Sequence, residues 1–341
     1  MRASRTQVVF MKTAGVVRIA RNFIAARYLH RRRLIHLELE LTRKCNFRCD
    51  YCNLQHENSR ELDEQDIIRL LDKYQRDIAF VFLTGGEPLL YSHFDDLVDN
   101  IRRRGGIYLY VTTNGSLVSS NIGALKKVDL VSFSLDGPRE IHEAHRPAGS
   151  FERIMEAMRL AESNGINIGV TCVLTKENAA RIDDVLGFFE ALNLFVTFAP
   201  MNHSTNLTDD DYARLRPAGG NLSLALERII DLKKRTRIVL NSFASLQRLK
   251  DPGRFKDCYW GRMSAYVNAD GFFQPCCLLK DRDREWNIRD EAVSRKYLMK
   301  ADWSGCEYCE QQVNLSLHEV MSFIIRERRS LIPKRVRPVF S

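Results

Sequence analysis

Ile35-His36-Leu37-Glu38-Leu39-Glu40-Leu41 alternates apolar and polar residues without a break, then runs through Thr42-Arg43-Lys44 into Cys45-Asn46-Phe47-Arg48-Cys49-Asp50-Tyr51-Cys52. Strict period-two alternation is the mark of a half-buried strand, which puts His36, Glu38 and Glu40 on one face. The charges on that face read as solvated rather than catalytic. The cysteines that follow, spaced by four and three positions, let one loop hold three irons of a cubane cluster and leave the fourth iron without a protein ligand. An open iron can bind a small molecule, so the pattern points to reaction chemistry rather than electron storage. The alternative is a structural zinc site, which needs four protein ligands in paired arrangements; His56 is the nearest candidate for a fourth.

Working outward, apolar runs and turn motifs alternate down the chain. Gly85-Gly86-Glu87-Pro88 follows the run 78–83, Thr113-Asn114-Gly115 follows 107–112, and Ser134-Leu135-Asp136-Gly137 closes 128–135. Further strand-like runs lie at 166–174 and 195–199. Between these runs, Ile67–Tyr74, Phe94–Ile101, Ile154–Ala161 and Val185–Leu192 place apolar residues three and four apart, the helical spacing. Six strands alternating with helices predict an α/β fold with a parallel sheet and right-handed crossovers. Each motif then falls at the C-terminal end of a strand, where loops converge on one mouth. Taken singly, Gly-Gly-Glu-Pro and Thr-Asn-Gly are ordinary turn chemistry; their joint order is what carries information.

With these motifs in this order, the chain resembles the radical S-adenosylmethionine superfamily over about residues 34–200. The resemblance implies a partial (βα)6 TIM-like barrel. It implies that Cys45, Cys49 and Cys52 ligate a catalytic 4Fe-4S cluster whose open iron chelates S-adenosyl-L-methionine. Reductive cleavage would then give a 5′-deoxyadenosyl radical that abstracts hydrogen from a substrate carbon. By the same resemblance Tyr51 packs near the adenine, and Gly86 lets the backbone approach the methionyl ammonium because it has no Cβ. Glu87 either joins that site or caps the loop. Ser134 meets the ribose, and Arg146, twelve residues on, meets the methionyl carboxylate; the alternative for Arg146 is a surface salt bridge.

A second cysteine set begins at Cys258, which with Gly271 and Cys276 resembles the opening of the SPASM and twitch extensions, closed by Cys306-Glu307-Tyr308-Cys309. Cys258, Cys276, Cys306 and Cys309 would hold one auxiliary 4Fe-4S cluster. Too few cysteines remain for a second auxiliary cluster, which favours the twitch type, although a zinc ribbon fits the same local spacing. Residues 264–268 and 271–274 flank Ala269-Asp270-Gly271 and read as a hairpin with glycine at the turn. Cys277 could replace Cys276. Cys172, inside an apolar strand, reads as a small buried hydrophobe.

The 341 residues, 45% apolar and 9% aromatic, suffice for a core domain and a smaller extension. We divide them into a basic amphipathic segment (1–34), the core barrel (35–200), a linker that lines the substrate mouth (201–257), the auxiliary-cluster domain (258–313) and a basic C-terminal helix and tail (314–341). No run of eighteen apolar residues and no cleavable signal is visible, and free thiols with oxygen-sensitive clusters suit a reducing cytoplasm. Residues 1–44 carry eleven Lys or Arg against Glu38 and Glu40, equal to the whole net charge of +9. The span 8–29 reads as a basic amphipathic helix, either attracted to anionic lipid at the inner membrane face or docked under the barrel. Nucleic acid is not expected, because no binding module accompanies the basic residues. The resemblance implies a flavodoxin- or ferredoxin-type electron donor and a small metabolite as substrate, with a ribosomal peptide as the alternative. Outside the enzyme class the rival is a noncatalytic iron-sulfur or zinc scaffold.

Overall fold

The strands form where the alternation places them. The computed structural model describes residues 13–28, 33–54, 60–201, 207–251, 264–274 and 287–289. In chain order the strands are β1 (His36–Glu40), β2 (Phe80–Thr84), β3 (Tyr108–Thr113), β4 (Leu130–Ser134), β5 (Ile168–Leu174), β6 (Val196–Pro200), β7 (Ser264–Val267) and β8 (Phe273–Gln274). They make one sheet ordered β6-β5-β4-β3-β2-β1-β7-β8, with β1 to β7 parallel and β8 antiparallel to β7. The result is a partial barrel of the expected α/β kind.

Sequential strand order with right-handed crossovers places every connecting helix on one face of the sheet. Helices Glu64–Tyr74, Phe94–Arg104, Ser150–Ser163 and Ile182–Ala191 cover that face. The first is started by Asp63, whose carboxylate accepts from the Asp66 N–H at 3.1 Å. Leu37, Leu39, Val81, Leu83, Leu109 and Val111 point into this layer and are fully buried in the main core.

The opposite face carries no crossover helix, and its side chains are half-buried along β2, β3 and β6. Phe82 and Tyr110, neighbours across β2 and β3, stack with centroids 4.3 Å apart, and Ser132 and Thr171 share a hydrogen bond of 2.7 Å. The solvated-face reading of His36, Glu38 and Glu40 is corrected here. His36 and Glu40 are buried, and Glu38 is half-buried. Closure of the sheet turns this face inward, so alternation marks the barrel interior rather than water. His36 lies 3.1 Å from the Tyr110 hydroxyl through Nε2, and burial pulls its pKa down to about 3.

Two edges of the sheet are extended. The predicted hairpin forms as β7 and β8, with Gly271 at a φ of 84°, and β7 pairs with β1 from His36↔Ser264 to Leu39↔Val267. The sheet is therefore wider than six strands, because β7 satisfies backbone groups that would stand unpaired along the outer edge of β1. At the other edge Val239 bridges Val196, and helix Gly219–Arg235 continues the outer layer.

Helix Thr13–Tyr28 docks beneath β2. Arg18 donates to the Ile78 carbonyl at 2.5 Å, Asn22 to the Asp77 carbonyl at 3.0 Å, and Arg33 pairs with Asp77 at 3.2 Å. Arg18 and Arg33 are thus engaged by protein oxygens. Val17 and Ile24, one heptad apart, remain exposed. Among the described residues no helix is long and apolar enough to cross a membrane.

Candidate active site at the strand C-termini

The four loops that follow β1 to β4 meet at one end of the sheet. Gly85 and Gly86 lie against the chain that leads into the cysteines: Gly86 N–H donates to the Thr42 carbonyl at 2.7 Å, and Glu87 N–H to the Lys44 carbonyl at 2.8 Å. A Cβ on Gly86 would stand 2.4 Å from the Lys44 carbonyl oxygen. Its missing side chain is thus demanded by backbone packing against the cysteine loop.

Glu87 is 1% exposed and is used up within the protein. Its carboxylate accepts from Thr113 Oγ1 at 2.8 Å, from the Asn114 N–H at 2.8 Å and from the Leu89 N–H at 3.1 Å. Burial raises its pKa to about 7 against the pull of these donors. These contacts make Glu87 the cap of the Pro88–Leu90 turn and a brace for the Thr-Asn-Gly turn. The Thr-Asn-Gly turn that it holds reaches back to the cysteines: Asn114 donates to Asn46 Oδ1 at 2.8 Å, and Asn46 donates to Ser116 Oγ at 2.7 Å.

Asp136, at the end of β4, is equally buried and organises the other side. It accepts from Arg146 Nε at 2.6 Å, from the Tyr51 hydroxyl at 2.6 Å and from the Val173 N–H at 3.1 Å. Burial is the largest single influence and works against its charged form, yet the Arg146 guanidinium, His142 and the hydrogen bonds from Arg146 and Tyr51 together hold the carboxyl below its usual range. The Arg146–Asp136 pair is an interior ion pair, so the surface salt-bridge reading of Arg146 is corrected. Arg146 stands 5.4 Å over the Tyr51 ring and aims Nη1 at Cys49 Sγ, 4.0 Å away. Tyr51 is buried, and Ser134 sits half-buried at the end of β4 on the inner face.

Cys45, Cys49 and Cys52 are half-buried free thiols on this one loop. The Asp50 N–H donates to the His145 carbonyl at 3.0 Å, which ties the loop to the Arg146 segment. Burial raises Cys45 to about 11, with Glu87 and Cys52 acting in the same direction and the Phe47 N–H and Arg146 against it; it raises Cys49 to about 12, with Cys52, Asp136 and Cys45 in the same direction and Arg146 against it. A cationic centre bound by all three would hold them as thiolates. Among the described residues no group of three His, Cys, Asp or Glu is placed to hold a single metal ion.

Met201 and residues 207–215 adjoin the same loop. Met201, Leu207 and Leu215 pack with Tyr51, and Cys49, Cys52 and Tyr212 adjoin them. Cys172 is buried and its thiol contacts the Asp136 carbonyl at 3.5 Å, as a small core residue would. His56, Cys258, Cys276, Cys277, Cys306 and Cys309 lie outside the described residues. Sequence reading assigned no role to Asp136, Asn46 or Asn114. Their signal was available: each sits inside a motif that follows a strand, where short polar side chains face the mouth.

Residues 39–189 match the profile of the Radical SAM superfamily. These residues are a radical SAM superfamily domain. Members of the family use a 4Fe-4S cluster and S-adenosylmethionine. The chain is 31% identical over 193 residues to the tungsten-containing aldehyde ferredoxin oxidoreductase cofactor-modifying protein of Pyrococcus furiosus, covering 51% of this chain and 53% of that protein. It is 31% identical over 202 residues to the GTP 3′,8-cyclase of Rhizobium etli, covering 54% and 57%. The chain thus spans about half the length of these relatives. The solved structure of native anSMEcpe with bound AdoMet superposes with a TM-score of 0.64 at 20% identity, over 80% of this chain and 83% of that one. At that identity the likeness establishes the fold.

Proposed function

We propose that this protein is a radical S-adenosylmethionine enzyme that removes hydrogen from a carbon of a small metabolite. The observation that carries the reading is the meeting of three thiols on one loop with two separately braced loops at the open end of a parallel half-barrel. Cys45, Cys49 and Cys52 would hold the cluster. Arg146 and Ser134 would meet the carboxylate and ribose of S-adenosylmethionine, with Tyr51 beside the adenine. When bound, the cluster supplies an electron and S-adenosylmethionine a 5′-deoxyadenosyl radical, which takes a hydrogen atom from the substrate. The protein's own residues orient these groups and keep water away. Asp136 fixes Arg146 and Tyr51, Glu87 fixes the Thr-Asn-Gly turn, and Met201, Leu207 and Leu215 close the apolar side.

The substrate class follows from the inner face. Phe82, Tyr110, Thr112, Ser134 and Thr171 offer rings and hydroxyls, and the eight described strands contain no Lys or Arg. Such a face, which also carries the carboxylates of Glu38 and Glu40 on β1, offers nothing to a polyphosphate. A net charge of +9 suits an acidic flavodoxin- or ferredoxin-type donor in the cytoplasm. The hairpin at 264–274 supports an auxiliary cluster on Cys258, Cys276, Cys306 and Cys309. The exposed pair Val17 and Ile24 supports peripheral membrane contact, and flotation with anionic vesicles, lost in Val17→Asp, checks it.

The deciding experiment is iron and sulfide content after anaerobic reconstitution, with and without the Cys45/Cys49/Cys52→Ala changes, alongside 5′-deoxyadenosine release under reduction. We expect about eight irons falling to about four, with nucleoside release lost. About four irons falling to none would remove the auxiliary cluster. Intact iron binding in the triple variant would overturn the assignment of the first cluster. Turnover of a peptide encoded beside the gene, and of no metabolite, would replace the substrate class.

A further inference from the structure

The loop that carries the three cysteines has a neck. Thr42 and Glu61 pair across it as an antiparallel bridge, Arg43 N–H donates to the Arg60 carbonyl at 3.1 Å, and Leu62 N–H donates to the Leu41 carbonyl at 2.9 Å. These bonds close the base of the loop, while Cys45–Cys52 is tied further along by the Glu87 N–H on the Lys44 carbonyl, the Asp50 N–H on the His145 carbonyl and the Tyr51 hydroxyl on Asp136. Opening of the loop therefore depends on how firmly its base is held.

A carboxylate from the C-terminal hairpin grips both sides of this neck. Asp270, in the turn between β7 and β8, pairs through Oδ2 with Arg43 at 2.8 Å and through Oδ1 with Arg60 at 2.7 Å. Arg43 lies two residues before Cys45. Arg43 also donates through Nε to Glu40 at 2.9 Å, and Glu40, itself buried, accepts from the Tyr266 hydroxyl and from the Ala269 N–H at 3.5 Å. The turn that presents Asp270 is stiff. Asn268 Oδ1 accepts from the N–H groups of Asp270 and Phe272, at 3.1 and 2.9 Å, and Asn287 donates to the Asp270 carbonyl at 3.1 Å.

We infer that Asp270 is a positioning residue: it clamps the neck of the cysteine loop and makes the geometry of the first cluster site depend on the hairpin. The inference rests on the proposed function only in taking the loop as a cluster site. Its physical content is that Asp270 bridges Arg60 to Arg43, whose other side already pairs with Glu40, so that two carboxylates balance two arginines that would otherwise repel across the neck. The Arg43 contact is largely shielded from solvent and carries most of the effect, whereas Arg60 is 61% exposed and adds little. The sequence from 258 to 276 passes through this hairpin, so a group bound by its flanking cysteines would be felt at the neck.

The test uses the full-length protein without iron. Alkylation of Cys45, Cys49 and Cys52 by iodoacetamide, followed peptide by peptide by mass spectrometry, reports opening of the loop directly. In Asp270→Asn these three thiols should react about threefold to tenfold faster, with Cys172 and the melting temperature nearly unchanged, and Asp270→Glu should recover most of the protection. Arg60→Gln, an exposed and well-tolerated change, should give a smaller acceleration in the same thiols. The exposed pair Lys127–Asp99 supplies the control, and Asp99→Asn should change nothing. Unaltered alkylation in folded Asp270→Asn, or equal acceleration at Cys172, overturns the clamp. Because no cluster is needed for this readout, a protein that fails to bind iron yet shows the acceleration would reject the proposed function and leave the clamp standing.

Discussion

Glu87 and Asp136 are two carboxylates at the same end of one sheet, each 1% exposed and each accepting three hydrogen bonds, and they end in opposite electrostatic states. Glu87 receives its bonds from neutral donors, and burial takes its pKa up to about 7. Asp136 receives one of its bonds from Arg146, and the cation reverses the outcome. Burial and hydrogen-bond count therefore do not decide the charge of a carboxyl; the charge of the donor does. The two halves of the site consequently differ in kind. Around Glu87 the protein braces a turn with a carboxyl whose pKa burial raises, and around Asp136 it holds a paired cation beside the cysteines.

The largest test of that contrast is Asp136→Asn, which leaves Arg146 buried without its counter-charge. We expect about 3–5 kcal/mol of lost stability in urea denaturation, and recovery of most of it when Arg146→Met is added. A single variant that costs under about 1 kcal/mol would show that the pair does not anchor this half. Gly86→Ala probes the opposite half. The new Cβ would meet carbonyl oxygens of Lys44 and Arg43, which are backbone and cannot swing aside. Overpacking of this kind costs about 1–3 kcal/mol and should lower reconstituted iron, whereas Gly187→Ala, with open space around it, should do neither.

Glu87→Gln is the smallest and most specific change, with about 1 kcal/mol from altered hydrogen bonding. The pH profile carries the information. A carboxyl whose folded pKa is raised from 4.5 to about 7 contributes stability that is present below 4.5 and lost as pH rises through 7. Wild-type protein should lose that contribution between pH 5 and 8, and Glu87→Gln should flatten that part of the curve. An unchanged slope would mean that Glu87 is ionised in the folded protein and that the contrast with Asp136 is false.

The six core strands and their helices were legible because period-two and period-3.6 patterns are set by local geometry. The cysteine loop and the three turn motifs were legible as residue types at strand ends. What the alternation of Ile35–Leu41 could not say is which side of the strand faces water. In a flat sheet His36, Glu38 and Glu40 would be solvated; in a closed half-barrel they line the interior, and curvature is a property of all the strands together. Arg146 was legible as a cation near the strand ends, but its partner Asp136 sits ten residues earlier and reaches it only through the turn of the chain at 137–145.

By itself the sequence determined the order of strands and helices, the donors on the cysteine loop and the family to which residues 39–189 belong. These depend on neighbours within a few positions of one another. Only the tertiary structure decided the charge states of Glu87 and Asp136, the inward turn of the polar face of β1, and the grip of Asp270 on Arg43 and Arg60 across more than two hundred residues of chain. Those outcomes depend on burial and on distances between remote segments. Electrostatic energy falls with separation in space and with solvent exposure, and neither quantity is written in the spacing of residues along the chain.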